Sequence, residues 1–129
     1  MDIEYRVDDK NLSSREFLEL VKKVWPGEYN DSLTDKALKK TINFTAWEND
    51  SLVGCVRILT DGYFFGTIPE IIIEPNYQKK GIGKRLMQLA WERTPTSLFF
   101  GAQKGNERFF EKLGYEKSMQ SYVKKKPRK

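Results

Sequence analysis

The stretch IIIEPNYQKKGIGKRLM, residues 71–87, decides how the fold is interpreted. It begins with an apolar β-branched run, which is typical of a strand buried on both faces. Pro75 ends that run, and an apolar stripe then recurs at the spacing of one helix face. We therefore predict a central strand, a turn that contains Gly81 and Gly83, and a helix from Gly81 to about Arg93 packed on the sheet.

The turn between this strand and helix has the properties of an anion site. Backbone N–H groups at a helix N-terminus lack intrahelical partners and lie at the positive end of the helix dipole, and glycines let a phosphate approach the main chain. Lys84 is followed by Arg85, which excludes a P-loop, and Leu86 stands where the dinucleotide fingerprint needs a third glycine. The alternative is an ordinary strand–helix turn whose glycines only make it tight.

The first half of the chain predicts two helices and a hairpin after a first strand at residues 4–9. SSREFLELVKKV, residues 13–24, is amphipathic and starts with a capping box of Ser13 and Glu16. Thr34 is the predicted N-cap of a second, short helix. Residues 44–59 read as two extended runs joined at Asn49 and Asp50.

The second half predicts alternating strands and helices. SLFFGA, residues 97–102, is the next apolar strand, and NERFFEKL, residues 106–113, is a helix that ends at Gly114. Residues 115–123 form a last extended segment. Strands that alternate with helices favour parallel pairing in this half.

Composition narrows the classes of function. The chain has 129 residues, of which 39% are hydrophobic, so we expect one domain spanning residues 1–129. Histidine is absent and Cys55 is the single cysteine, which excludes disulfides, Cys/His zinc sites and His-assisted nucleophiles. No run approaches the roughly 20 apolar residues of a membrane span, and the N-terminus lacks a signal pattern. We expect a cytoplasmic protein with no membrane partner and no metal.

The basic charge is concentrated at the C-terminus. The net charge is +5, and residues 124–129 contain five of the 23 cations, so the remainder balances at 18 basic and 18 acidic residues. We expect a solvated, flexible tail; contact with a polyanion is the alternative. Nucleic acid is not an expected partner, because the chain lacks the basic face and interleaved aromatics of a dedicated module.

Residues 71–87 resemble the acetyl-CoA-binding motif of the GNAT superfamily of N-acetyltransferases, Gln/Arg-x-x-Gly-x-Gly/Ala after a strand. Gln78, Gly81 and Gly83 fill its positions, and FFEKLGYE, residues 109–116, is similar to the family's Phe-Tyr-Glu-Lys-Leu-Gly-Phe motif. The resemblance covers about residues 44–116. It implies a GNAT fold, an α/β (α+β) domain whose mixed central sheet has splayed parallel strands flanked by helices.

The same resemblance implies the chemistry and the partners. An acetyl group would pass from acetyl-CoA, the co-substrate, to a primary amine of a small molecule or peptide by direct attack. Dimers are common in this family, so a homodimer is compatible with the resemblance. A non-catalytic acyl-CoA-binding sensor is the second hypothesis.

Cofactor contacts follow from the resemblance. The pantetheine arm would pair with the backbone of the strand before the turn, at Ile71, Ile72 and Ile73, with Ile73 as the strongest candidate. The pyrophosphate would lie against the loop formed by Gln78, Lys79, Lys80, Gly81, Ile82, Gly83 and Lys84. The alternative for Lys79 and Lys80 is that they are solubilising surface residues.

Glu70 is the candidate general base, because family members often place an acidic residue at this point of the strand. Its alternative is a structural ion-pair partner or a solvated strand end. Phe110, which we assign to the cofactor site, stands where many members have a tyrosine credited with protonating the thiolate. Tyr115 is expected to pack, and Tyr122 is an unsupported alternative acid. Water alone can assist a thiolate whose ordinary pKa is near 8.5.

Five further side chains leave two interpretations each. Arg57 in an apolar strand needs a partner, and with Asp61 it forms either a structural ion pair, which we favour, or a substrate contact. Cys55 is expected to be a core residue rather than a reactive thiol. Trp25 and Tyr29 either line an acceptor pocket or pack, and packing is the simpler account.

Overall fold

The computed structural model describes residues 1–129, which divide into two compact units, Met1–Phe99 and Phe100–Lys129. The expectation of a single domain stays a prediction. The first unit contains three α-helices, one short 3₁₀ helix and five strands, and the second contains one α-helix and no strand. In chain order the elements are β1 (Glu4–Arg6), α1 (Ser14–Val24), α2 (Asp31–Lys39), β2 (Ile42–Glu48), β3 (Ser51–Thr60), β4 (Gly66–Thr67), β5 (Ile71–Ile73), α3 (Ile82–Arg93) and α4 (Glu107–Lys112).

The strands form one sheet in the order β1-β2-β3-β4, and β5 also pairs with β3. Every strand pair is antiparallel. Cys55 and Ile72 belong to the apolar core that α1 and α2 cover, whereas a Cβ at Gly54 would lie 3.1 Å from Leu86 of α3. Since neighbouring residues of a strand point to opposite faces, the sheet separates α1 and α2 from α3. The predicted mixed α/β architecture with flanking helices is confirmed.

Several helix starts and turns lie where the local sequence predicted them. The capping box of Ser13 and Glu16 is present at the start of α1, and Gly81 is the N-cap of α3. The two-residue turn of Asn49 and Asp50 joins β2 to β3, and Asn49 takes the positive φ of 54° that such turns require.

The predicted start of α2 was wrong. Its N-cap is Asn30, whose side chain accepts a hydrogen bond from the Leu33 N–H at 2.9 Å. Thr34 lies inside the helix, and its N–H donates to the Asn30 carbonyl. Asparagine is a stronger N-cap than threonine, and starting at Asn30 rather than Thr34 adds about one turn of helix.

The predicted strand organisation of the second half was also wrong. β5 is three residues long and pairs with β3 alone, so it is not a central strand. Residues 97–102 form no strand, and parallel pairing is limited to one bridge between Thr67 and Phe99. Residues 115–123 form no strand either, and their apolar side chains at the C-terminal end are exposed, so no buried face stabilises one.

Candidate active site

A one-residue bulge at Ile68 and Pro69 separates β4 from β5. Before the bulge, Leu59 of β3 pairs with Thr67. After the bulge, the Arg57 N–H of β3 donates to the Glu70 carbonyl, so the pairing of the two strands is shifted by one residue. Proline has no N–H to give to a ladder, which is why strands accommodate it at bulges. The bulge therefore changes which residues of this segment face β3.

After the bulge, alternate residues face β3. The Glu70 carbonyl accepts from Arg57, and the Glu74 N–H donates to the Val53 carbonyl at 2.8 Å, so residues of even number are bonded to β3. By the same alternation, Ile72 uses its backbone groups within the sheet. Ile71 and Ile73 direct theirs to the open edge of β5, where the Gln78 side-chain amide donates to the Ile73 carbonyl at 3.2 Å. This parity favours Ile71 and Ile73 over Ile72 as backbone partners for a ligand.

The glycine turn presents free amides at the start of α3. Lys79 and Gly81 both have positive φ, 63° and 85°, and Gly81 caps the helix without a side-chain hydrogen bond. The first intrahelical bond runs from the Arg85 N–H to the Gly81 carbonyl, which leaves the N–H groups of residues 82–84 unpaired. A Cβ at Gly81 would meet no atom within 4 Å, so the backbone is open to a ligand.

Side chains around this turn differ in what they offer. Ile82 is buried in the core, so only its backbone N–H is available. Gln78, Lys79, Lys80 and Lys84 are exposed. The lysines can therefore add positive charge to that of the helix dipole around the free amides.

A contact that the sequence did not predict joins the turn to β2. The Tyr77 hydroxyl, in the short 3₁₀ helix Pro75–Tyr77, donates a hydrogen bond to Glu48 at the end of β2. This hydrogen bond raises the pKa of Tyr77. The Lys80 ammonium lies 5.9 Å from the centre of the Tyr77 ring. The approach to the glycine turn is thus fixed to the sheet.

Glu70 follows the bulge directly and forms a bidentate ion pair with Arg57. The Arg57 Nε donates to one carboxylate oxygen and Nη2 donates to the other at 2.8 Å. Both side chains are largely covered, with 16% and 17% of their surface exposed. The Arg57 guanidinium also lies 5.6 Å from the Phe17 ring of α1. Burial disfavours the charge of Arg57, but its hydrogen bonds and ion pair with Glu70 raise its pKa.

The predicted pairing of Arg57 with Asp61 was wrong. Asp61 instead organises the β3–β4 turn, where its Oδ1 accepts from the N–H groups of Tyr63, Phe64 and Phe65 at 2.8–3.1 Å. These backbone hydrogen bonds, that of Tyr63 foremost, lower the pKa of Asp61. The need of Arg57 for a partner was correctly recognised, and Glu70 is that partner.

The ion pair agrees with the structural alternative for Glu70, but it does not occupy every lone pair of the Glu70 carboxylate. A carboxylate has about four lone-pair sites, and Arg57 uses two of them. The remaining sites can accept a hydrogen bond from an amine or a water.

Other candidate side chains have structural roles in this unit. Cys55 is buried, and burial raises the pKa of its thiol, so it is not a nucleophile. Trp25 and Tyr29 pack against the core under α1, and the Tyr29 hydroxyl donates to the Trp25 carbonyl at 2.8 Å. The simpler account of these two residues is the one supported.

In the second unit, Phe110 lies on α4 among aromatic rings. Its ring centre is 4.7 Å from that of Phe100 and 6.4 Å from that of Tyr115. Tyr115 packs as expected, its hydroxyl has no hydrogen-bond partner, and burial raises its pKa. Tyr122 and residues 124–129 are exposed. The assignment of Phe110 to the cofactor site stays a prediction.

The chain has neither a cluster of metal-binding side chains nor a membrane-spanning helix. No group of three or more His, Cys, Asp or Glu side chains is placed to hold a metal ion. None of the helices has the length and apolar character needed to cross a membrane.

The sequence and the fold match known acetyltransferases. Among solved structures, a GNAT family acetyltransferase of Streptococcus pneumoniae is 23% identical, with a TM-score of 0.75 over 97% of this chain and 100% of that one. A ribosomal-protein-alanine N-acetyltransferase of Brucella melitensis is 20% identical, with a TM-score of 0.73 over 98% and 100%. Glucosamine-6-phosphate N-acetyltransferase of Arabidopsis thaliana is 15% identical, with a TM-score of 0.74 over 97% and 99%.

These structural similarities confirm the GNAT fold, and at such identities they show the fold alone. The family follows from the sequence itself, since the model of the acetyltransferase (GNAT) domain matches residues 39–117. That match includes β2 to α4, and so it contains the bulge, the open edge of β5 and the glycine turn. The chain belongs to the GNAT acetyltransferase family.

Proposed function

We propose that the protein is an acetyl-CoA-dependent N-acetyltransferase that acetylates a primary amine of a small molecule or peptide. The observation that carries this proposal is the continuity of three features along residues 70–84. A carboxylate at a bulge is followed by a strand edge with free backbone groups, and then by a glycine turn with free amides. Each feature suits one part of the reaction, in the order in which acetyl-CoA would lie along the segment.

Acetyl-CoA binding would use the backbone more than side chains. The pyrophosphate lies against the unpaired N–H groups of residues 82–84, with Lys79, Lys80 and Lys84 supplying further positive charge. The pantetheine amides pair with Ile71 and Ile73, whose backbone groups face the open edge of β5. The thioester then lies near the N-terminal end of β5, beside Glu70.

The chemistry requires a neutral amine and a polarised thioester carbonyl. Glu70 accepts a proton from the acceptor ammonium, directly or through one water, and the amine attacks the carbonyl carbon. A backbone N–H of β5 stabilises the oxyanion that forms. The intermediate then loses a second nitrogen proton to water and expels the CoA thiolate, which leaves the acetyl group on a neutral amide nitrogen. The family motif has Phe110 where many members have a tyrosine, so we assign no side-chain acid, and the thiolate leaves with the help of water, as its ordinary pKa of about 8.5 permits.

A non-catalytic acyl-CoA-binding module is the second candidate. The bidentate pairing of Glu70 with Arg57 favours it, because a carboxylate held in this way can serve structure alone. Phe110 in place of the usual tyrosine points in the same direction.

Binding and turnover separate the two candidates. Titration calorimetry with CoA measures binding, and release of the free thiol from acetyl-CoA measures transfer in the presence of a panel of primary amines. An N-acetyltransferase binds CoA and releases thiol in proportion to an acetylated product found by mass spectrometry. Saturable CoA binding with no amine-dependent release would instead support the binding module.

A further inference from the structure

One face of the sheet carries an uncovered apolar surface beside the bulge. Leu59 and Thr67 are directly paired and therefore share this face, and the bridge between Thr67 and Phe99 extends it to a third segment. Phe65 completes the surface, since its ring stacks on that of Phe99 at 5.6 Å with an interplanar angle of 6°. We call Leu59, Phe65, Thr67 and Phe99 the apolar shelf.

The apolar shelf has two large apolar side chains that are exposed to solvent. Leu59 is 46% exposed and Phe65 is 47% exposed, whereas Ile58, on the opposite face of the same strand, is fully buried. The turn that carries Phe65 is held by the hydrogen bonds that Asp61 accepts from three backbone N–H groups. The shelf is therefore an ordered surface, formed before any ligand arrives.

The apolar shelf adjoins the ion pair of Arg57 and Glu70. Arg57 and Leu59 are two residues apart on β3, so their side chains share a face at a separation of about 7 Å along the strand. Beside Arg57, the paired residue Asn43 is buried and donates to the Leu38 carbonyl of α2. The helices thus cover this face as far as Arg57, and the shelf begins where their cover ends.

We propose that the apolar shelf is the acceptor subsite, and that the acceptor is a primary amine joined through a short alkyl link to a flat apolar ring. This inference rests on the proposed function, which puts the reacting amine at Glu70. A link of two or three carbon atoms bridges the roughly 7 Å between two side chains on one strand face. None of the four shelf residues carries a carboxylate, and the Asp61 oxygen beside Phe65 already accepts from three backbone N–H groups, so the surface favours a ring over a second ammonium group.

An acceptor series tests this inference through turnover. Phenethylamine and tryptamine carry a flat ring, propylamine lacks it, and putrescine replaces it with a second amine. We expect kcat/KM for the two ring-bearing amines to exceed that for propylamine by about tenfold or more, the scale on which apolar pockets discriminate. Leu59→Ser and Phe65→Ala should each remove most of that preference. Trp91→Ala is the matched control, since this exposed aromatic residue lies on α3, on the other side of the sheet.

Equilibrium binding of phenethylamine to the protein saturated with CoA tests the apolar shelf without requiring any acetylation. Binding that Leu59→Ser and Phe65→Ala each weaken about tenfold, and that Trp91→Ala does not, supports the apolar shelf even if no amine is acetylated. Absence of turnover with every amine would then count against the proposed function alone. The inference is overturned if phenethylamine does not bind, or if its binding and its advantage over propylamine survive both shelf substitutions.

Discussion

Replacing Glu70 by glutamine tests the most specific part of the proposed mechanism. The amide keeps the size of the carboxylate, but it can no longer accept a proton from the acceptor. We expect the acetylation rate to fall about 10²–10⁴-fold, the usual contribution of a general base. CoA affinity should change little, because the proposed CoA contacts lie in β5 and the glycine turn.

The structure also gives the effect of this substitution on stability. Arg57 donates to both carboxylate oxygens, and the glutamine NH₂ group would face one of these donors without accepting from it. Hydrogen bonds to charged groups contribute about 1.5–3 kcal/mol. Since 16% and 17% of the two side chains remain exposed, we expect the lower end, about 1.5 kcal/mol. That is less than the roughly 5–15 kcal/mol that stabilise a typical domain, so the variant should stay folded.

Three measurements on one preparation separate the effects. Urea unfolding gives stability, calorimetry gives CoA affinity, and thiol release gives the rate between neutral pH and the pKa of the acceptor amine. The rate deficit should shrink as pH rises, because an amine that is already neutral does not need the carboxylate. Glu4→Gln is the control, since it alters the exposed ion pair of Glu4 with Arg6 on β1 and should leave all three measurements unchanged. Full activity of Glu70→Gln at neutral pH, with an amine that is protonated there, would refute the general-base role.

Further predictions concern the turn, the tail and the packing of the sheet. Gly83→Glu should abolish CoA binding with little loss of stability, because it puts bulk and negative charge beside the free amides; unchanged affinity in calorimetry would exclude a phosphate site there. Deleting residues 124–129 should leave CoA affinity nearly intact, since charges more than about 8 Å away are screened at physiological salt. A tenfold loss would mean that the tail contributes to the site. Gly54→Ala should lower the free energy of unfolding measured in urea by about 1–3 kcal/mol, because the new Cβ would lie 3.1–3.2 Å from aliphatic side chains of β5 and α3. An unchanged urea midpoint would mean that these side chains move aside freely. Asp61→Asn should destabilise the protein at neutral pH, because a lowered pKa in the folded state stabilises the fold only while the carboxylate is charged. The difference in stability between the variant and the native protein should shrink as pH falls below 3.8, the ordinary pKa of an aspartate. A difference in stability that does not depend on pH would argue against this linkage.

Local physical chemistry explains what the sequence could predict. The start of α1, the β2–β3 turn and the start of α3 depend on capping side chains and positive φ values within a few residues. The GNAT motif is equally local, because a strand edge and a helix N-terminus joined by a short glycine turn can meet one ligand. Pattern and structure therefore agree on the order of strand, turn and helix over residues 71–87, although β5 is not the central strand that the sequence predicted.

The contacts that the sequence did not give are non-local. Glu70 pairs with Arg57 because a bulge shifts the register of two strands by one residue, and register is not visible in either strand alone. Pro69 was the available signal, since a proline inside a strand pattern indicates a bulge or an edge. The bond from Tyr77 to Glu48 joins residues of two separate segments, and nothing near either residue indicates it.

Amine-dependent release of CoA from acetyl-CoA, followed together with the mass of the acceptor, tests the central claim most directly. The account predicts that thiol release requires the amine and equals the amount of acceptor that has gained one acetyl group. Thiol release that is absent, or that proceeds at the same rate without any amine, would contradict it even if CoA binds tightly.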